Sequence, residues 1–231
     1  MCTVVIRVPD TDGGPVRVLA VRDEDPGRPW RPLGHWWPDY PGVRGVQDEL
    51  AGGAWLAVDG GRMAVLVNKS GGADVERPTS RGHLVLDAVL GRPLPDPLTT
   101  LGFNLVVAEP GRATVTSWQG GDPTRLELSP GTHMISHGEV DDPDYERIQA
   151  WLPRFSAADT GGEPWWTDWL DILAESAQWG PKDPRAIIRD NRPDYPTLSL
   201  LVVAISVDQD GAHAAMDTLA EPGMWNPLRL R

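Results

Sequence analysis

The stretch Met1–Val8, MCTVVIRV, places a cysteine directly before a run of β-branched residues. Such residues favour strands, so Thr3–Val8 predicts a strand. Val16–Arg22 predicts its hairpin partner, across a turn that contains Asp12-Gly13-Gly14. A strand that begins this early carries Cys2 straight into the fold. The stretch therefore predicts an amino terminus held within the domain.

Composition restricts the partners and sites that the chain can have. The 231 residues suit a single domain over residues 1–231, because no stretch has the composition of a linker. The net charge of −12, without a Lys/Arg cluster, argues against nucleic acid. One cysteine excludes an internal disulfide and a cysteine-clustered zinc site, and we expect no metal. No signal peptide and no apolar run of ~20 residues is present, so we expect a soluble, cytoplasmic protein without a membrane span.

The order of the predicted elements indicates the α+β class. The amino-terminal hairpin is followed by a second one, formed by Ala54–Val58 and Met63–Val67. Helices are predicted to begin at Ser80, at Asp142 and near Glu163. Further strands are predicted at Phe103–Ala108, Thr114–Gln119, Leu126–Leu128, Thr132–Ser136, Thr197–Val207 and Met224–Leu230. Antiparallel runs of strands with helices in blocks are typical of helices layered on sheets.

The segment from Asp23 to Gly53 is polar and proline-rich, and it predicts one long loop. It contains Trp30, His35, Trp36 and Trp37. Tryptophan most often fills a core, because its side chain buries a large apolar area. The alternative is a flat, aromatic-lined pocket, for which these four are the candidate binding residues.

Cys2 is the strongest candidate for chemistry. Methionine is normally removed before a small second residue, so Cys2 would carry a free α-amino group beside its thiol. The reference pKa values of the two groups are about 8 and about 8.5, so the amine accepts the thiol proton near neutral pH. One residue then supplies both nucleophile and base, as in N-terminal-nucleophile hydrolases. The alternative is a small buried residue at the start of a strand.

Arg22 and Asp23 stand at the end of the predicted second strand. Pairing of that strand with the first would bring both near Cys2. Arginine stabilises a thiolate and lowers its pKa, and a carboxylate stabilises an α-ammonium. The alternative is a charged strand end in solvent.

These features resemble the NRDE family, also called the transport-and-Golgi-organisation family. Met1-Cys2 followed by Arg22-Asp23-Glu24 resembles the start of its members. The further matching segments, in the family's order, are Gly52-Gly53-Ala54-Trp55-Leu56, Val65-Leu66-Val67-Asn68, Ser80-Arg81-Gly82, Gly102-Phe103-Asn104-Leu105 and Leu128-Ser129-Pro130-Gly131-Thr132-His133 with Ser136. The matches span residues 1 to about 138, and the last third of the chain matches poorly.

The resemblance implies a four-layer αββα sandwich of the N-terminal-nucleophile hydrolase type, related to choloylglycine hydrolases and penicillin acylases. It implies that Cys2 is the nucleophile and that Arg22 and Asp23 support it. Asn68 is the implied oxyanion donor. Arg81, in the Ser-Arg-Gly segment, is a further candidate binding residue.

Two positions depart from the family pattern. Val21 stands where the family has the asparagine of its name. His137 follows Ser136 where the family and its hydrolase relatives usually carry an asparagine, which in the hydrolases is an oxyanion donor. A neutral histidine donates one N–H, so His137 is retained as a candidate catalytic residue.

Three functions remain open on these grounds. The first is hydrolysis or transfer of an acyl group from a small-molecule amide or acyl-thioester through acyl-Cys2, without a cofactor. The second is a non-catalytic protein that binds or traffics haem or an acyl lipid. In the haem version, iron would contact one of Cys2, His83, His133 or His137. The third is an inactive remnant of the enzyme.

Overall fold

The computed structural model describes residues 2–180, 182–189 and 197–231. The strands are β1 (Thr3–Val8), β2 (Val16–Glu24), β3 (Trp30–Gly34), β4 (Arg44–Asp48), β5 (Ala54–Asp59), β6 (Arg62–Gly72), β7 (Leu101–Glu109), β8 (Arg112–Trp118), β9 (Thr124–Glu127), β10 (Gly131–Ile135), β11 (Leu198–Asp208) and β12 (Gly211–Thr218). The helices are α1 (Gly82–Val89), α2 (Glu146–Ala157) and α3 (Thr167–Ala177). Two antiparallel sheets with few helices confirm the predicted α+β class.

The strand that follows Cys2 lies inside a five-stranded antiparallel sheet. The order of this sheet is β10-β1-β2-β11-β12. β1 pairs with β2, with Thr3 opposite Val21, and this confirms the predicted hairpin. On its other side β1 pairs with β10. Both faces of β1 are buried, because Val4 and Val5 point to opposite faces and neither is exposed by more than 1%.

The second sheet has seven strands in chain order, from β3 to β9, each antiparallel to its neighbour. The second predicted hairpin is confirmed as β5 and β6, with Leu56 opposite Val65. The far end of β6 carries Asn68, which lies opposite Phe103 of β7. One end of this sheet therefore gathers residues from three of the family-like segments.

Three apolar clusters connect these elements. The first joins residues of both sheets, including Val4 of β1 and Val65 of β6. The second packs α2 and α3 on the five-stranded sheet, with Val5 of β1 beside Trp169 of α3. The third packs α1 on the seven-stranded sheet around Phe103. Successive residues of one strand thus serve different clusters, because side chains alternate across a sheet.

The predicted loop from Asp23 to Gly53 is wrong in part, since it contains β3 and β4. Glycine weakens the sequence signal of these strands. Gly45 of β4 lies so close to β5 that an added Cβ would meet the Leu56 carbonyl oxygen at 2.4 Å. A β-branched residue, which would have indicated a strand, does not fit there.

Several predicted element ends are also wrong. The helix predicted from Asp142 begins at Glu146, because Asp142 Oδ1 accepts the N–H of Asp144 at 3.0 Å in a local turn. The helix expected near Glu163 begins at Thr167. The helix predicted from Ser80 begins at Gly82, and the Ser80 hydroxyl accepts the N–H of Gly82 at 3.2 Å just before α1. The segment 224–230 is not a strand.

Candidate active site

Cys2 lies at the start of β1, next to the end of β2. Its side chain is 8% exposed. The β1–β2 pairing brings it to Asp23, and its thiol donates to the Asp23 carbonyl oxygen at 3.6 Å. From the other side, the Ser136 hydroxyl donates to the Cys2 carbonyl oxygen at 3.4 Å. Cys2 is thus held by the segments that the sequence predicted to surround it.

The cysteine forms part of the wall of a cavity of about 460 Å³. The wall takes residues from the ends of β2, β4, β5 and β6 and from the segment before α1. Its lining residues are Cys2, Arg22, Asp23, Glu24, Arg28, Asp48, Ala51, Ala54, Trp55, Leu66, Asn68, Pro78, Thr79, Ser80, Arg81, Gly82 and Leu101. Of the predicted catalytic residues, Cys2, Arg22, Asp23 and Asn68 come together here, with the predicted binding residue Arg81.

The Cys2 thiol is protonated at neutral pH. Burial raises its pKa, and the negative charge of Asp23 adds to this effect. The hydrogen bond to the Asp23 backbone and the positive charge of Arg22 act in the opposite sense, without reversing the direction. A base is therefore needed to form the nucleophilic thiolate.

The Arg22 side chain is buried between two tryptophans. Only 2% of it is exposed, and its guanidinium carbon lies 5.9 Å from the ring centroids of both Trp30 and Trp55. Its Nη2 is 3.5 Å from a carboxylate oxygen of Glu24. Its Nη1 has no hydrogen-bond partner within the described residues. Aromatic faces and burial fix this guanidinium in place.

Asp23 is anchored from the far end of the chain. Its Oδ1 accepts a hydrogen bond from the Ser199 hydroxyl at 2.7 Å. The Ser199 oxygen in turn accepts the N–H of Arg189 at 2.9 Å. Asp23 and Ser199 are also opposite each other in the β2–β11 pairing. The buried carboxylate is therefore held in one orientation.

Two glycines bring Arg81 to the cavity. An added Cβ on Gly53 would meet the carbonyl carbon of Gly82 at 2.5 Å, and one on Gly82 would meet the Gly53 Cα at 2.9 Å. The two backbones can be this close only without side chains. Arg81 Nη1 then donates to the Gly102 carbonyl oxygen at 2.9 Å. Three family-like segments meet at this point.

His137 lies outside the cavity wall. Its ring packs edge-on against Tyr145, with the ring centroids 4.3 Å apart. Burial is the main cause that lowers its pKa to about 4, and the positive charges of Arg147 and Arg189 contribute. His137 is thus neutral at pH 7. Its neighbour Ser136 contacts Cys2, but the ring of His137, the predicted catalytic residue, is not part of the cavity wall.

The four candidate binding residues of the tryptophan-rich segment face different surroundings. Trp30 packs at the edge of the cluster between the sheets. Trp37 is buried in the α1 cluster, where its Nε1 donates to the Gly52 carbonyl oxygen at 2.7 Å. Trp36 donates to the Pro32 carbonyl oxygen at 2.7 Å, and His35 is exposed. These residues form no common wall, because Trp30 packs against the cluster between the sheets whereas Trp36 and Trp37 pack in the cluster around α1.

Residues 1–186 match the model of the family described as Transport and Golgi organisation 2. The chain belongs to this family. The predicted family is thereby confirmed. Among curated proteins, no sequence matches the chain.

The family match and the cavity coincide closely. All the lining residues of the cavity fall within residues 1–186. Ser199, which holds Asp23, lies beyond the matched region. The Transport and Golgi organisation 2 match thus covers the cavity, while the last strands of this chain brace it.

Sequence reasoning missed several residues of the site. The family-like Gly-Gly-Ala-Trp-Leu segment contained Trp55, yet nothing in the sequence placed its ring beside Arg22. Arg28 and Asp48 gave no signal other than charge, and Glu24 belonged to the family-like Arg22-Asp23-Glu24 segment without being assigned a role. Ser199 is separated from Asp23 by 176 positions, and no local pattern could connect them.

Across residues 2–180, 182–189 and 197–231, no three His, Cys, Asp or Glu side chains come together as a possible metal site. No helix there is long and apolar enough to cross a membrane.

Proposed function

We propose that the chain is an N-terminal-nucleophile hydrolase or acyltransferase that acts on an amide or acyl-thioester through acyl-Cys2, after removal of Met1. The observation that carries this proposal is the position of the Cys2 thiol in the wall of a 460 Å³ cavity, beside Arg22 and Asp23. Met1 itself lies outside the described residues.

The packing of the sheets supports the same proposal. One apolar cluster lies between the two sheets, and two others join helices to them. This arrangement is what a four-layer αββα sandwich of the N-terminal-nucleophile hydrolase type requires. In such a fold the nucleophile begins a strand that is buried on both faces, as β1 is.

The α-amine of Cys2, once Met1 is removed, is the base in this proposal. It takes the proton of the buried thiol, and the thiolate attacks the substrate carbonyl carbon. A C–S bond forms, and the C–N bond of an amide or the C–S bond of a thioester breaks. The leaving amine or thiolate takes the proton from the α-ammonium. Water, or another acceptor of the acyl group, then releases Cys2.

The remaining residues orient these groups. Asp23, fixed by Ser199, stabilises the α-ammonium, and Arg22 stabilises the thiolate. Asn68 lines the cavity and is the proposed donor to the oxyanion. His137 is not assigned this role, because its ring lies against Tyr145.

A binding role on the same cavity is the second candidate. The raised pKa of Cys2 favours it, since a protonated thiol is a weak nucleophile. An acyl lipid fits this role better than haem. Both ring nitrogens of His133 are engaged, by Asp141 at 2.6 Å and by the Ser129 carbonyl oxygen at 2.8 Å. The residues around Trp37 give no flat wall for a macrocycle.

The enzymatic proposal predicts that Cys2→Ala abolishes turnover. Release of amine or thiol from a panel of amides and acyl-thioesters should fall at least about 10³-fold. The substitution removes one sulfur from the cavity wall, so the thermal unfolding midpoint should change little. Ser156→Ala, at an exposed hydroxyl of α2, is the matched control and should retain full activity. Equal turnover by Cys2→Ala and the unmodified chain would contradict the proposal and leave the binding role.

A further inference from the structure

The carboxylates that line the Cys2 cavity already accept hydrogen bonds from other groups of the chain. Asp48 accepts from Arg28 Nε at 2.6 Å and from two backbone N–H groups at 3.0 Å. Glu24 lies 3.5 Å from Arg22 and accepts the N–H of Asp25 at 3.0 Å. The Asp23 carboxylate accepts from Ser199. The carboxylates of the wall are therefore satisfied by the protein itself.

Two hydrogen-bond donors in residues of the same wall lack a partner among the described residues. Arg22 Nη1 and Trp55 Nε1 are both buried without a hydrogen-bond partner in the described residues. The two side chains are 2% and 8% exposed, and both line the cavity. A buried N–H without an acceptor costs about 1–3 kcal/mol. Both nitrogen atoms are closed off from the cavity itself, so they add positive potential behind its wall but do not contact a ligand bound in it.

Arg81 adds a guanidinium whose charge is not neutralised. Its Nη1 donates to a backbone carbonyl, and no ion pair joins it to a carboxylate within the described residues. Burial lowers its pKa, and the negative charge of Glu24 opposes this only in part. Arg81 and Cys2 both line the cavity, so a group bound by Arg81 lies in the same cavity as the thiol. A planar guanidinium of this kind matches the two oxygens of a carboxylate.

We propose that the acyl group delivered to Cys2 carries a free carboxylate, which the Arg81 guanidinium binds. This inference rests on the proposed function for its chemistry and names the substrate class of the same site. Recognition is local, because the chain as a whole has a charge of −12 and repels anions at long range.

A matched pair of activated esters tests the inference. The mono-4-nitrophenyl ester of glutaric acid keeps one free carboxylate, and the 4-nitrophenyl ester of pentanoic acid has an acyl chain of equal length and no charge. In both, the Cys2 thiolate forms a C–S bond, the ester C–O bond breaks, and 4-nitrophenolate leaves. The rate of its release, less that measured with Cys2→Ala, gives the acylation rate.

The expected result is a preference of the unmodified chain for the glutarate ester, by about tenfold or more. Arg81→Gln should reduce the ratio of the two rates at least tenfold, and Arg81→Lys should restore part of it. Arg92→Gln is the matched control. Arg92 is an exposed arginine paired with Asp87 outside the cavity wall, so its loss removes the same charge and should leave the ratio unchanged. Equal rates for the two esters, or an unchanged ratio in Arg81→Gln, would overturn the inference and leave the proposed function intact.

A binding measurement separates the inference from the enzymatic proposal. Glutarate should raise the unfolding midpoint of Cys2→Ala, and glutaramide, its neutral analogue, should not. The effect should disappear when Arg81→Gln is added. Glutarate binding without acylation of Cys2 by either ester would support the carboxylate site and contradict the enzyme. Absence of any glutarate effect would overturn the carboxylate site.

Discussion

Cys2 is buried in a wall that contains both charges needed to control it. Burial raises the pKa of the Cys2 thiol, so the thiolate forms at a higher pH than it would in water. Arg22 works against burial, and aromatic faces on both sides keep it close. In the proposed mechanism the α-amine of Cys2 accepts the thiol proton, so that mechanism needs no separate catalytic histidine.

His137 predicts a pH dependence of stability. Its pKa in the folded chain is about 4, against 6.5 for the free side chain. Between these values the unfolded chain binds more protons, so stability falls as pH falls from 6.5 towards 4. Because His137 is only partly buried, we expect a loss of about 1–2 kcal/mol. His137→Asn should remove this loss, as urea unfolding at pH 7 and pH 4.5 would show.

The comparison between variants is necessary because His133 acts in the opposite sense. The hydrogen bond to Asp141 raises the pKa of His133, so its contribution is full at low pH and is lost as pH rises through the folded pKa. His213→Asn, at an exposed histidine, serves as the control. An acid-induced loss that is as large in His137→Asn as in the unmodified chain would contradict the account.

At the level of single elements, the sequence predicted those strands whose residues have a clear local pattern. The β-branched runs of residues 3–8 and 16–22 predicted β1 and β2, and their pairing placed Cys2 beside Asp23. Strands β3 and β4 were missed, because Pro32, Gly34 and Gly45 interrupt them. β4 is held by pairing with β5, and β3 by pairing with β4. A window of sequence does not contain these contacts.

The Gly53–Gly82 approach predicts a stability effect. In Gly82→Ala, the new Cβ would meet the Gly53 Cα at 2.9 Å, and backbone cannot rotate away. We expect a loss of about 1–3 kcal/mol in the free energy of unfolding. The strain should also displace Arg81 and reduce the preference for the glutarate ester.

Gly162→Ala is the control for this effect. No atom lies within 4 Å of a Cβ added there. Its free energy of unfolding should stay within about 0.5 kcal/mol of the original. If the two alanine variants unfold at the same urea concentration, the close approach does not matter for stability.

Across the whole molecule, the cavity is assembled from distant parts of the chain. Its wall runs from Cys2 to Leu101, and its support reaches Ser199 in β11. The sequence assigned a site role to five of its lining residues, Cys2, Arg22, Asp23, Asn68 and Arg81, and each of them falls in a family-like segment. The unpaired donor of Trp55 and the displacement of His137 depend on how the sheets pack, which sequence alone does not specify.

The central claim is that Cys2, freed of Met1, takes an acyl group from its substrate. Intact-mass measurement of the purified chain, before and after incubation with the mono-4-nitrophenyl ester of glutaric acid, tests it directly. The account predicts a starting mass that lacks one methionine, and one added glutaryl group that maps to Cys2 and is absent from Cys2→Ala. A chain that retains Met1, or that gains no acyl group at Cys2, would contradict it.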